Sequence, residues 1–93
     1  MADMKKAVVT VLGIDRKGII ARVGAALYEN DANILDISQT VLSDYFNMVL
    51  IADISASGCS FEKLSAALGT LGEEMGLQIR IQRSEIFEAM HQV

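Results

Sequence analysis

From Lys5 to Ile14 the apolar residues Val8, Val9, Val11, Leu12 and Ile14 occupy both faces of an extended chain, and from Asp15 the apolar spacing becomes helical. This change of period limits the folds open to the chain. A strand that is apolar on both faces belongs in the interior of a sheet, and a helix that follows without a linker must pack on that sheet. In the helix, Ile20, Val23 and Leu27 form the stripe, with Ile19 and Ala26 beside them and Arg22 and Glu29 off it. Asp15 is the expected N-cap, and Asn30 or Asp31 the expected left-handed stop. Gly24, costly inside a helix, is expected to mark a close contact between helix and sheet.

The remaining chain repeats the theme. Asn33 to Leu42 alternates Leu35, Ile37 and Val41 against Asp36, Ser38 and Thr40, predicting a half-buried strand in which Gln39 falls in the apolar register. Ser43-Asp44 reads as a turn, and Tyr45 to Ile54 as an interior strand, so the two strands form a hairpin. Ser60 is placed to cap a second helix whose stripe is Phe61, Leu64, Leu68, Leu71 and Met75, closed by Gly76. Leu77, Ile79 and Ile81 then alternate with Gln78, Arg80 and Gln82 as an edge strand, and Ser84 begins a short terminal helix over about 84–91, with Ile86, Phe87 and Met90 on one face. The order β-α-β-β-α-β is that of a split βαβ, ferredoxin-like α+β sandwich. Its four-stranded antiparallel sheet should run two-three-one-four, with both helices on one face. The opposite face, carrying Val49 and Ile51, then needs a second subunit or the terminal helix to cover it.

Ninety-three residues make one domain, with 52% hydrophobic and 22% charged residues in the range of globular chains. A net charge of −4 without a basic patch argues against nucleic acid and anionic membrane as partners. Met4-Lys5-Lys6 before an apolar run imitates a signal peptide, but Asp15-Arg16-Lys17 follows with no small-residue cleavage site. No apolar run approaches the roughly 18 residues of a membrane span. A single cysteine, Cys59, forms no internal disulfide, and the expectation is a cytoplasmic protein.

The junction Gly13-Ile14-Asp15-Arg16-Lys17-Gly18-Ile19-Ile20 is the expected binding site. A strand that runs into a helix brings unpaired backbone N–H groups and the positive end of the helix dipole to one spot, which suits an anion or carboxylate. Gly18, without a Cβ, either admits a ligand or simply eases the turn. Gly13 and Gly18 have the spacing of a P-loop, but Ile19-Ile20 stands where Lys-Ser or Lys-Thr would be needed, so nucleotide binding of that kind is not expected. His91 is the only histidine and excludes a histidine-based triad or multi-histidine metal site within one chain. Cys59 lies in a loop near a possible helix start, a setting that can lower a thiol pKa, but no histidine partner is in evidence and an ordinary loop cysteine is the expected reading. Asp36, Asp53, Glu73 and Glu74 show no spacing that demands a general-acid and general-base pair. Met48, Met75 and Met90 read as core filling.

Asp15-Arg16-Lys17-Gly18-Ile19-Ile20, followed by Val23 and Leu27 and by Asn33-Ile34-Leu35-Asp36-Ile37-Ser38-Gln39, resembles the ACT domain, a small regulatory module that binds amino acids. The resemblance spans residues 5–83. With Phe46-Asn47-Met48 and the tail Ile86-Phe87-Glu88-Ala89-Met90-His91, the chain is similar to small stand-alone bacterial ACT proteins. It is similar too to the amino-terminal part of formyltetrahydrofolate deformylases and to glycine-cleavage repressors, but a following catalytic domain is not expected. Two positions depart from the pattern: Lys17 stands where proline is frequent, and Asp31 where glycine is frequent before Ala-Asn-Ile. The first leaves the turn less rigid.

The resemblance implies a non-enzymatic homodimer that binds an amino acid or similar metabolite and needs no cofactor or metal. The ligand contacts would come from Asp15, Arg16, Lys17, Gly18 and Ile19 at the turn and from Asn33 and Ile34 at the start of strand two. The carboxylate would meet the helix-start amides, and the ammonium an oxygen such as that of Asn33. The alternative is an interaction module without a ligand, recruiting a protein partner through its sheet edge or terminal helix.

Overall fold

The computed structural model describes residues 5–56 and 58–84. It contains β1 (Lys6–Ile14), α1 (Ile19–Glu29), β2 (Asn33–Leu42), β3 (Tyr45–Asp53), α2 (Phe61–Met75) and β4 (Gln78–Arg83). The sheet order is β2-β3-β1-β4, and every neighbouring pair is antiparallel. This is the ferredoxin-like arrangement expected from the alternating periods. The expected terminal helix after Ser84, including Phe87 and Met90, lies outside the described residues.

Antiparallel register fixes what each face carries. Ala7, Val9 and Val11 of β1 pair with Ala52, Leu50 and Met48 of β3, all six fully or almost fully buried beneath the helices. Val23 and Leu27 of α1 and Leu64, Leu68, Leu71 and Met75 of α2 close this core from above. Met48 and Met75 fill core space, as their positions in the apolar stripes implied. The opposite face carries Val8, Thr10 and Leu12 of β1 opposite Ile51, Val49 and Asn47 of β3, and no described helix lies over it.

α2 begins and ends as its sequence dictates. The Ser60 hydroxyl accepts the Lys63 N–H, and Gly76 takes a left-handed conformation at φ 69° that lets the Leu77 N–H reach the Gly72 carbonyl at 2.8 Å. The start of α1 differs from expectation. Its cap is Gly18, at φ 87°, and no side chain caps it; Asp15 lies three residues upstream in the turn. The inward residues are correspondingly Ile19, Val23 and Leu27, while Ile20 is exposed. At the other end, Asp31 takes the left-handed conformation at φ 60°.

Two further expectations fail for structural reasons. Gly24 makes no close contact, since a Cβ there would meet open space. β2 is exposed along its whole length instead of half-buried. Ile34, Ile37, Gln39 and Val41 do pair with the inward residues Ala52, Leu50, Met48 and Phe46, but the helices do not extend over this edge. A β-bulge between Ile34 and Asp36 inserts Leu35 as an extra residue, so Leu35 drops out of the register of Ile37 and Val41 and joins Asp36 on the helix-free side.

Candidate functional site

The β1–α1 turn is held at three points. The Asp15 N–H donates to the Asp44 carbonyl of the β2–β3 turn at 2.7 Å. Arg16 Nη1 donates to the Met75 carbonyl at the end of α2, 3.0 Å away. The Arg22 N–H closes the first helical turn on the Gly18 carbonyl at 2.9 Å. Asp15, Arg16, Lys17 and Gly18 are exposed, whereas Ile19 is buried and anchors the helix start in the core.

This geometry leaves a polar surface at the head of α1. The bond from Arg22 to Gly18 is the first of the helix, so the N–H groups of Ile19, Ile20 and Ala21 precede any intrahelical acceptor. No acidic side chain stands in the first turn to neutralise them. A carboxylate is therefore the natural complement of this end of the helix. One N–H of the Arg16 guanidinium is already engaged, so Arg16 acts first as a clamp between the turn and α2.

Asn33 and Ile34 do not join the turn within one chain. Asn33 pairs with Asp53, which pairs with Lys6, at the start of β1; the turn follows Ile14, whose cross-strand partners lead to Tyr45 and Leu42. Along β1 the two ends are roughly 25 Å apart, at about 3.3 Å per residue. The sequence grouped residues that the fold places at opposite ends of the sheet.

A hollow of about 430 Å³ lies on the helix-free face, lined by Lys6, Val8, Leu35, Asp36, Val49, Ile51 and Ser84. It contains none of the turn residues. Sequence reading missed it because Leu35 enters its wall only through the bulge.

Cys59 is half-buried, and its thiol is pushed above its ordinary range by burial and then by the nearby Asp31 and Asp53 carboxylates. The nearby helix start does not lower it, in keeping with the reading of an ordinary loop cysteine. Asp53 itself is held below the usual carboxylate range by the hydroxyl and N–H of Ser55, both donating to its Oδ1. Among the described residues no group of three or more His, Cys, Asp or Glu side chains is arranged to hold a metal ion, and no helix is long and apolar enough to cross a membrane.

The ACT-domain family profile matches residues 5–82. The chain belongs to the ACT-domain family. It is 48% identical over 90 residues to a UPF0237 protein of Methanopyrus kandleri, covering 97% of this chain and 100% of that relative. A solved ACT domain protein from Streptococcus pneumoniae shares 37% identity at a TM-score of 0.79, covering 92% of this chain and 97% of that one. A structure described as a putative glycine cleavage system transcriptional repressor shares the fold at a TM-score of 0.77 and 23% identity; the match covers 88% of this ACT domain and 47% of that chain. ACT domains are in general regulatory modules that bind small molecules.

Proposed function

We propose that this ACT domain is a non-enzymatic homodimer that binds an amino acid or similar small metabolite between subunits and passes its presence to a partner. The observation that carries this reading is the separation of the turn from Asn33, together with the exposed β2 edge. Two copies paired antiparallel through β2 about a two-fold axis would set the start of one β2 beside the end of the other. That end is the Ser43-Asp44 turn, which the Asp15 N–H holds against the β1–α1 turn. Asn33 and Ile34 of the partner subunit would then face Asp15, Lys17, Gly18 and the helix-start amides. The ligand carboxylate would lie on the N–H groups of Ile19 to Ala21, and its ammonium on the side-chain oxygen of the partner's Asn33.

The test is a melt against a panel of amino acids, with subunit mass measured in parallel. A ligand at about 100 times its dissociation constant raises folded-state stability by roughly 2.7 kcal/mol, a plain shift for a domain of this size. A dimer without any shift favours the second reading, a ligand-free interaction module, which the exposed apolar β2 edge also supports. Monomer mass throughout, with no shift, defeats the composite site.

A further inference from the structure

On the premise that two subunits share the ligand site, we propose that the ligand is an aliphatic amino acid, its side chain received between Ile20 and Val41 of one subunit and Ile34 of the partner subunit. All three are apolar and exposed, and register and helical phase turn them to one place.

The edge strand supplies two of them. Ile34 pairs with the buried Ala52 and Val41 with the buried Phe46, so both point to the helix side, one near each end of β2. On a strictly alternating strand, residues 34 and 41 would point to opposite faces. The bulge after Ile34 takes up one residue and turns them to the same face. An antiparallel pairing of two β2 strands about a two-fold axis then lays the partner's Ile34 beside Val41.

The helix supplies the third. α1 packs on α2 and on β2, and its Arg22 is drawn to the α2 side by the 2.8 Å bond to Glu74. Ile20 precedes Arg22 by two residues, about 200° around the helix at 3.6 residues per turn, and so lies on the flank towards β2, at the turn end. One turn further, Gly24 has open space where a Cβ would stand, which leaves the flank notched beside Ile20. Between Ile20 and Tyr28 this flank carries Ala21 and Gly24 and no charge. Arg16 and Arg22 are both bonded to the end of α2, Arg16 through the Met75 carbonyl, and Gln39 is the helix-side residue of β2 before Val41. Methyl groups of a ligand gain by leaving water here, whereas a charged side chain would exchange water for hydrocarbon.

The test is calorimetry on the full chain with glycine, alanine, valine, leucine, serine, aspartate and lysine as probes. Affinity should rise about ten-fold or more from alanine to valine or leucine, since a methylene in an apolar pocket is worth at least that factor. Ile20→Ala and Val41→Ala, at positions 42% and 51% exposed and so outside the core, should each remove most of that gain and leave the affinity for alanine as it is. Glycine, serine, aspartate or lysine bound as tightly as the aliphatic probes overturns the aliphatic assignment and leaves the shared site standing. So does an aliphatic preference that both variants retain. Absence of binding by every probe, in a chain whose circular dichroism is that of a folded protein, overturns the shared site and this ligand class together. Should a variant fail to fold, the ranking of the probes by the parent protein still decides.

Discussion

The Arg16 guanidinium donates to the Met75 carbonyl at 3.0 Å across 59 residues of sequence, so the turn that starts α1 also closes the last turn of α2. The carbonyls at a helix end have no intrahelical donor, and a cation there meets the negative end of the dipole. Arg16→Ala should cost about 1 kcal/mol, and Arg16→Lys less than that, because an ammonium keeps the charge but loses the planar reach. Urea midpoints of the three proteins check this; equal midpoints would show that water replaces the contact without loss.

Two glycines should respond in opposite directions to the same substitution. Gly24 lies inside α1 with open space where a Cβ would go, so Gly24→Ala should stabilise by about 0.5–1 kcal/mol. At Gly72 a Cβ would stand 2.8 Å from the Leu77 carbonyl oxygen, a backbone atom that cannot give way cheaply, and Gly72→Ala should destabilise by roughly 1–3 kcal/mol. Thermal melts of the pair give the sign directly.

If the ligand site is shared between subunits, two defective chains should repair each other. Gly18→Val strains a backbone held at φ 87°, and Asn33→Ala removes the side-chain oxygen from the other half of the site. In a mixed dimer one site carries both changes and the other carries neither. Calorimetry on the co-refolded mixture should therefore recover part of the binding that each variant lacks alone. Variants that bind as well as the parent, or a mixture that binds no better than its components, would place the site elsewhere.

The Cys59 thiol should be slow to alkylate. Its pKa is raised in the fold, so the folded state favours the neutral thiol, and this contribution to stability is present below the ordinary thiol value of about 8.5 and is lost as pH rises through the folded value. Iodoacetamide should react more slowly with the folded protein than with the urea-unfolded chain at neutral pH. The midpoint of its pH–rate curve should lie above that of the unfolded thiol. Asp31→Asn, which removes one of the two carboxylates acting on Cys59, should move that midpoint down.

Element order and sheet order were legible because the buried residues carry their periods undisturbed: Val9 and Val11 on one side of β1, Leu64, Leu68 and Leu71 along α2. Caps were legible where a side chain acts, as at Ser60, and not where backbone conformation alone does, as at Gly18. The exposure of β2 was not legible, since Ile34, Ile37 and Val41 have the composition of a buried strand and only the lateral extent of the helices leaves them open. The candidate site was half legible. The turn is a local feature, but the distance from Gly18 to Asn33 depends on β2 running parallel to β1 from the far end of α1, which no local pattern encodes.

The sheet's two borders are unequal. β2 offers ten residues with Ile34, Leu35, Ile37, Val41 and Leu42 uncovered, whereas β4 is six residues long and carries Arg80 and Arg83, the latter stacked on the Phe61 ring at 4.2 Å. A molecule with one adhesive border and one repellent border can pair like with like, but each pairing consumes the adhesive border. Growth into a ribbon, the hazard of any open sheet, would have to proceed through a strand guarded by two cations. The asymmetry thus lets the chain keep an uncovered apolar strand without becoming a seed for fibres.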